Sequence, residues 1–218
     1  MGHLNELAKK YNTDKSDLFH NYCDEYEFFL EKLRYNNIKL LEIGVSTGNS
    51  INMWLEYFPN ASIFGIDISN CGFSIKTDRF IFRQGNQSVV ETYDGINNLD
   101  IIIDDGSHIT EDQMLTFEIL FPRLNSNGVY IIEDVSTSYW EEYGSEKLSF
   151  IDYTKKFIDE INYNGLYNEV SVKYQGGSLR HARSSVYLDE TMKINGLSKK
   201  FDIRSIYYGN SFIIVFKK

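Results

Sequence analysis

Hydrophobic and polar positions along this chain follow two periods in turn. Short runs of Ile, Leu, Val and Phe, each closed by turn residues, alternate with stretches in which apolar side chains recur every three or four positions. The first 37 residues keep the helical period, as two amphipathic pieces separated by the polar stretch from Tyr11 to Ser16. Ile38 to Val45 then reads as a strand, Ser50 to Phe58 as a helix stopped by Pro59, and Ser62 to Ile68 as a second strand. A third strand fits Arg79 to Arg83, a helix Gln87 to Tyr93, a fourth strand Leu99 to Ile103, a helix Thr110 to Leu124 and a fifth strand Val129 to Glu133. Beyond Thr137 the pattern weakens, apart from a helical stretch from Glu146 to Ile161. Phe201 to Tyr208 and Ser211 to Lys218 then form two strand-like runs around Gly209-Asn210, a dipeptide suited to a tight hairpin.

Repeated strand-helix-strand units require a parallel sheet with helices on both faces. The expectation is therefore a doubly wound α/β fold: a seven-stranded, mostly parallel sheet with N-terminal helices and a C-terminal β-hairpin. At 218 residues, with 42% hydrophobic content, no internal repeat and only two prolines, the chain suits a single domain spanning 1–218. Within it, 1–37 is a helical cap, 38–134 the core, 135–200 an insertion and 201–218 the hairpin.

Net charge of -9 argues against binding a phosphate backbone, so nucleic acid is excluded as a partner. No apolar run approaches the roughly 20 residues of a membrane helix, and the N-terminus has no signal-peptide apolar core, so no membrane partner is expected. Cys23 and Cys71 lack metal-ligand spacing and are too few for a disulfide scaffold, which points to a reducing, cytoplasmic setting.

The chemistry gathers at strand ends. Ile101-Ile102-Ile103 runs into Asp104-Asp105-Gly106-Ser107-His108, and Val129-Tyr130-Ile131-Ile132 into Glu133-Asp134. Ligands in open α/β sheets sit at the carboxyl ends of the strands, so both clusters face one site. Carboxylates converging there repel one another unless a hard cation lies between them, and oxygen donors suit Mg²⁺, Ca²⁺ or Mn²⁺. His108 is then placed to act as a base beside that cation. Its bland alternative is to cap the helix from Thr110, and Asp104 has equal claim to pairing with a backbone amide. At the first strand, Glu42-Ile43-Gly44-Val45-Ser46-Thr47-Gly48 enters a turn where backbone can approach a ligand. Its Gly-x-x-x-Gly spacing departs from the Gly-x-Gly-x-x-Gly of nicotinamide sites. Asp67, ending the second strand, stands where a ribose diol can be held.

These residues carry a family resemblance. Tyr11-Asn12-Thr13-Asp14-Lys15, Leu41-Glu42-Ile43-Gly44-Val45, Met53-Trp54, Phe58-Pro59-Asn60-Ala61 and Gly65-Ile66-Asp67-Ile68 are followed by Ile102 to His108, Leu120-Phe121-Pro122, Tyr130 to Asp134 and Thr137-Ser138-Tyr139-Trp140. Over most of its length the chain resembles the class I S-adenosylmethionine-dependent methyltransferases with a Rossmann-like fold, and among them the metal-dependent sugar O-methyltransferases. The resemblance implies that Thr13, Glu42, Gly44, Gly48, Ser50, Asp67, Gln84, Gly85 and Asp105 surround S-adenosylmethionine. It also implies that Asp105, Glu133 and Asp134 hold Mg²⁺ and that His108 is the base, with 135–200 on the acceptor side. Gly85-Asn86 stands where the family has Gly-Asp, which bears on the adenine contacts. Tyr139, Trp140 and Tyr143 are candidates for an acceptor wall or for a loop anchored by buried aromatics. The segment holding Lys15, His20 and Tyr22 is a candidate lid, and Arg180, His181 and Arg183 candidates for an anionic acceptor group. The implied activity is methyl transfer to a hydroxyl of a sugar or sugar-like small molecule, and a homo-oligomer is left open. Methylation of a non-sugar oxygen such as a phosphoramidate, an NAD-dependent oxidoreductase and a non-catalytic binding protein are the competing readings.

Overall fold

The computed structural model describes residues 2–70, 72, 74–144, 148–171 and 200–218, with backbone alone for 163–171. The alternation of apolar side chains decides which face each strand residue serves. In β1 (Lys39–Ile43), Leu40 packs on one side of the sheet while Leu41 and Ile43 pack on the other. The same division runs through β2 (Ser62–Asp67), β4 (Leu99–Asp104), β5 (Leu124–Ile132) and β7 (Ile213–Lys217). Ile63, Ile101, Ile103, Val129, Ile131 and Ile214 join Leu40, whereas Ile66, Ile102, Tyr130, Ile132 and Val215 join Leu41. Both faces are apolar, so both must be covered. The first is covered by α1 (His3–Lys10), α2 (Cys23–Leu30) and α3 (Asn49–Tyr57), and the second by α4 (Thr110–Leu120) and α5 (Phe150–Ser171).

With β3 (Phe80–Gln84) and β6 (Ile203–Tyr208), the seven strands stand in the order β3-β2-β1-β4-β5-β7-β6. The first five are parallel, and β7 runs antiparallel between β5 and β6. The chain moves outward from β1 through β2 to β3, then returns to lay β4 on the other side of β1. That reversal is the topological switch point at which such sheets bind ligands.

Several boundaries differ from those the sequence suggests, each for a local reason. Between Gln87 and Tyr93 only one tight 3₁₀ turn forms, over Val90–Tyr93. Asn86 Oδ1 accepts the Ser88 N–H, and the buried Gln87 side chain turns inward to receive the Ser107 N–H, so backbone and side chains there serve a turn. α4 stops at Leu120 because Pro122 follows, and Leu124 already pairs with Leu99 in β5. The polar Asn125 to Gly128 hides that early start from a hydrophobicity reading. α5 begins at Phe150, where Ser149 Oγ accepts the Asp152 N–H and donates to the Asp152 carboxylate, and it runs on to Ser171. The hairpin loop takes four residues, with Ser211 in the left-handed region and Gly209 N–H donating to the Phe212 carbonyl. Among the described residues no helix is long and apolar enough to cross a membrane.

Candidate functional site

Register brings the site together. Ile43 pairs with Asp104 and Asp104 with Ile132, so the next residues of three neighbouring strands, Gly44, Asp105 and Glu133, emerge side by side. The ladder continues one step further, with Asp105 N–H on the Ile43 carbonyl (3.0 Å) and Glu133 N–H on the Asp104 carbonyl (2.9 Å). Gly44 adopts φ +85°, and a Cβ there would lie 1.8 Å from the Asp105 carbonyl oxygen. Only glycine lets the turns after β1 and β4 approach this closely.

Asp67 ties the first turn. Its Oδ2 accepts the Val45 and Ser46 N–H groups (3.0 and 2.9 Å), and its Oδ1 accepts the N–H and hydroxyl of Ser69 (both 2.9 Å). Gly48, φ +80°, precedes α3, whose Ser50 and Trp54 donate to the fully buried Glu42 (2.9 and 3.2 Å). Burial pushes the Glu42 carboxyl up to about 7. Gln84 donates to the Ile68 carbonyl, and Gly85 N–H to that of Asp67. Gly44, Gly48, Asp67, Gln84, Gly85 and Asp105 thus line the carboxyl ends of β1 to β4. Glu42 and Ser50 sit one layer lower, bonded to each other, and Thr13 is buried with its hydroxyl accepting the Lys15 N–H.

The acidic side is built on two left-handed residues, His108 (φ +59°) and Asp134 (φ +52°). Such backbone is unfavourable for residues with a Cβ and persists only where surrounding bonds fix it. Here the Thr137 hydroxyl lies 3.2 Å from the His108 carbonyl and 2.8 Å from that of Asp134, stapling the two turns together. His108 Nε2 stands 3.9 Å from Asp105 Oδ1 and 3.7 Å from Asp134 Oδ2. One ligand atom from each of Asp105, His108 and Asp134 lies within 4.8 Å of the others. The Tyr22 hydroxyl donates to Asp134 Oδ1 (2.6 Å), and His20 Nδ1 is 3.8 Å from that oxygen.

Glu133 lies outside that triangle. Its Oε2 accepts from the Lys15 ammonium (2.8 Å), which also donates to Asp105 Oδ2 (2.6 Å) and is 1% exposed. Burial alone would lower the Lys15 pKa, yet Asp105 and Glu133 lift it well above its ordinary value. Burial raises Asp105 against the pull of Lys15, and burial together with Asp105 raises Glu133 above its ordinary value, again opposed by Lys15. Asp104 points to the other face, toward Gln87 and Tyr130, where burial pushes it up to about 7. Lys15, Tyr22, Gln87 and Thr137 therefore contact the site; Lys15 and Tyr22 stand in the candidate lid and Thr137 in a motif of the resemblance, whereas Gln87 carries no signal in the sequence. Tyr139 and Trp140 are largely exposed, and the Tyr143 ring centroid lies 6.5 Å from that of His108. Arg180, His181 and Arg183 lie outside the described residues.

The donor set fits a divalent ion. Two carboxylates converge at separations a hard cation spans, with the His108 imidazole beside them and Glu133 Oε1 buried without a hydrogen-bond partner among the described residues. The sheet order and these strand-end turns define the Rossmann-like methyltransferase fold. Within that class the relatives of this chain are sugar O-methyltransferases. It is 33% identical over 180 residues to L-olivosyl-oleandolide 3-O-methyltransferase of Streptomyces antibioticus, covering 73% of this chain and 46% of the relative. It is 35% identical over 156 residues to mycinamicin VI 2''-O-methyltransferase of Micromonospora griseorubida, covering 66% of this chain and 38% of that one. The chain thus spans about half or less of the length of these relatives. Its structure superposes on the MycE methyltransferase of the mycinamycin biosynthetic pathway, solved in complex with Mg and SAH. The TM-score is 0.77 at 26% identity, over 100% of this chain and 55% of that one. No family model matches the chain.

Proposed function

We propose that this chain methylates a hydroxyl of a sugar or sugar-like acceptor, using S-adenosylmethionine and a divalent cation, Mg²⁺. The observation that carries the reading is the convergence of Asp105, His108 and Asp134 beside the Gly44 turn at the switch point of the sheet. By name the relatives are O-methyltransferases of L-olivosyl-oleandolide and of mycinamicin VI, and MycE has been solved with Mg, SAH and mycinamycin VI together. When bound, the cofactor supplies the methyl group and the cation supplies Lewis acidity that makes an acceptor hydroxyl easier to ionise.

The protein's own residues do the rest. Asp105, Glu133 and Asp134 would hold the cation, with Lys15 bonded to the first two. His108 would take the proton of the acceptor hydroxyl at Nε2, the nitrogen turned toward the carboxylates. The glycine turn from Gly44 to Gly48 would let backbone approach the cofactor, and Asp67 would meet its ribose by exchanging the exposed Ser69 donors for the two ribose hydroxyls. Tyr139 and Trp140, exposed just past Asp134, would form the wall against which a sugar face stacks. Cys23 is a buried free thiol, in keeping with a cytoplasmic setting.

The test is mass spectrometry of candidate sugars and sugar nucleotides after incubation with methyl-labelled S-adenosylmethionine. Label should enter the acceptor, disappear with excess chelator and return with Mg²⁺, and full activity in chelator would remove the metal role. His108→Ala should slow turnover by roughly 10²–10⁴-fold with cofactor binding near normal. A variant as fast as the parent would take His108 out of the mechanism.

A further inference from the structure

Lys15 is the residue the proposed chemistry does not use, and its placement is unusual. An ammonium is rarely enclosed to 1% exposure, because leaving water is costly unless opposite charges and hydrogen bonds replace the lost hydration. Here they do: Asp105 Oδ2 at 2.6 Å and Glu133 Oε2 at 2.8 Å each accept from it. The lysine is also fixed from behind. Its N–H donates to Thr13 Oγ1, and its carbonyl accepts both the Tyr22 N–H (3.0 Å) and the Cys23 thiol (3.1 Å). The segment between α1 and α2 is thereby pinned to the ends of β4 and β5.

The Asp105 carboxylate is divided between two neighbours. Oδ2 belongs to Lys15, while Oδ1 faces His108 and the triangle of candidate ligands. Three carboxylates, one ammonium and one dication leave no net charge, whereas three carboxylates and a dication alone leave an excess negative charge. A dication at Oδ1 would stand only a carboxylate's width from the ammonium, and repulsion across that gap weakens its hold.

We propose that Lys15 is a resident counter-cation: it keeps Asp105 and Glu133 folded in place when no metal is bound, and it makes the divalent ion weakly held and exchangeable. This rests on the metal-holding role given above to Asp105 and Asp134. The ion then enters a site already assembled, and its arrival need not be coupled to folding.

The experiment compares the parent with Lys15→Met, using Mn²⁺ as the probe and electron paramagnetic resonance to count the free ion. Lys15→Met should bind Mn²⁺ about tenfold or more tightly. In chelator its melting temperature should fall by several degrees, and Mn²⁺ should raise it more than it raises the parent's. Equal or weaker Mn²⁺ binding by the variant would overturn the proposal. If the variant does not fold in chelator, the double variant Lys15→Met with Glu133→Gln, which removes the stranded charge, should regain the fold. A double variant that stays unfolded would show that packing, not charge, is the contribution of Lys15, and would also overturn it. Absence of bound Mn²⁺ in both proteins would remove the metal site itself, whereas Mn²⁺ bound equally by both removes only the role of Lys15.

Discussion

Gly44 shows how a single position can be fixed twice, by its dihedral and by its neighbour. At φ +85° an added Cβ is disfavoured, and here it would also lie 1.8 Å from backbone, which no rotamer change can relieve. Gly44→Ala should therefore lower stability by about 2 kcal/mol or more, read by urea unfolding. An unchanged midpoint would mean that the turns after β1 and β4 are not in contact. At this scale the sequence is most legible where chemistry follows a strand end. Gly44, Asp67, Asp105, His108 and Asp134 each stand just after or at the end of an apolar run, and parallel register then aligns them. Lys15 is the opposite case: the Tyr11-to-Lys15 motif and the candidate lid draw attention to its segment, but nothing in them marks this side chain as buried. Its partners lie 90 and 118 positions away, so no local pattern announces its burial. Glu42 and Asp104, acidic as well, are turned by strand alternation into the packed layers.

Elements are held by residues outside them. Arg79, just ahead of β3, donates to the carbonyls of Leu55 (3.0 Å), Phe58 (3.1 Å) and Ala61 (3.4 Å), around the end of α3. The Leu55 carbonyl meets Pro59, which has no N–H, at its i+4 position, and a guanidinium there also meets the negative end of the helix dipole. Arg79→Met, which keeps the aliphatic stem, should cost about 1–3 kcal/mol and speed amide exchange in the last turn of α3. Exchange that accelerates evenly over the whole chain would argue against a local clamp. Element types follow from periodicity wherever one face is strongly apolar, as in β1, β2, β4 and α3. They do not follow at Gln87 to Tyr93, where β-branched Val89 and Val90 point outward and Gln87 is taken by Ser107. Nor do they follow at the start of β5, where polar residues pair as well as apolar ones would.

For the molecule as a whole, the buried acids set a pH dependence. Glu42 has its carboxyl pushed from an ordinary 4.5 up to about 7 by burial. The folded state thus binds more protons than the unfolded chain between those values, so stability is greatest below the lower one and falls as pH rises through the upper one. The full loss attributable to Glu42 is about 3 kcal/mol. Glu42→Gln should remove it, giving a flatter stability curve between pH 5 and pH 8 by denaturant titration. Curves that run parallel for the two proteins would show that Glu42 ionises freely in the fold. The topology has a different consequence, one felt on the ribosome. β5 carries Val129 to Ile132 in the interior of the finished sheet, but its second neighbour, β7, is about eighty residues further along the chain. At the usual pace of translation that flank stays unpaired for several seconds, an open apolar edge that a nascent-chain chaperone is suited to shield.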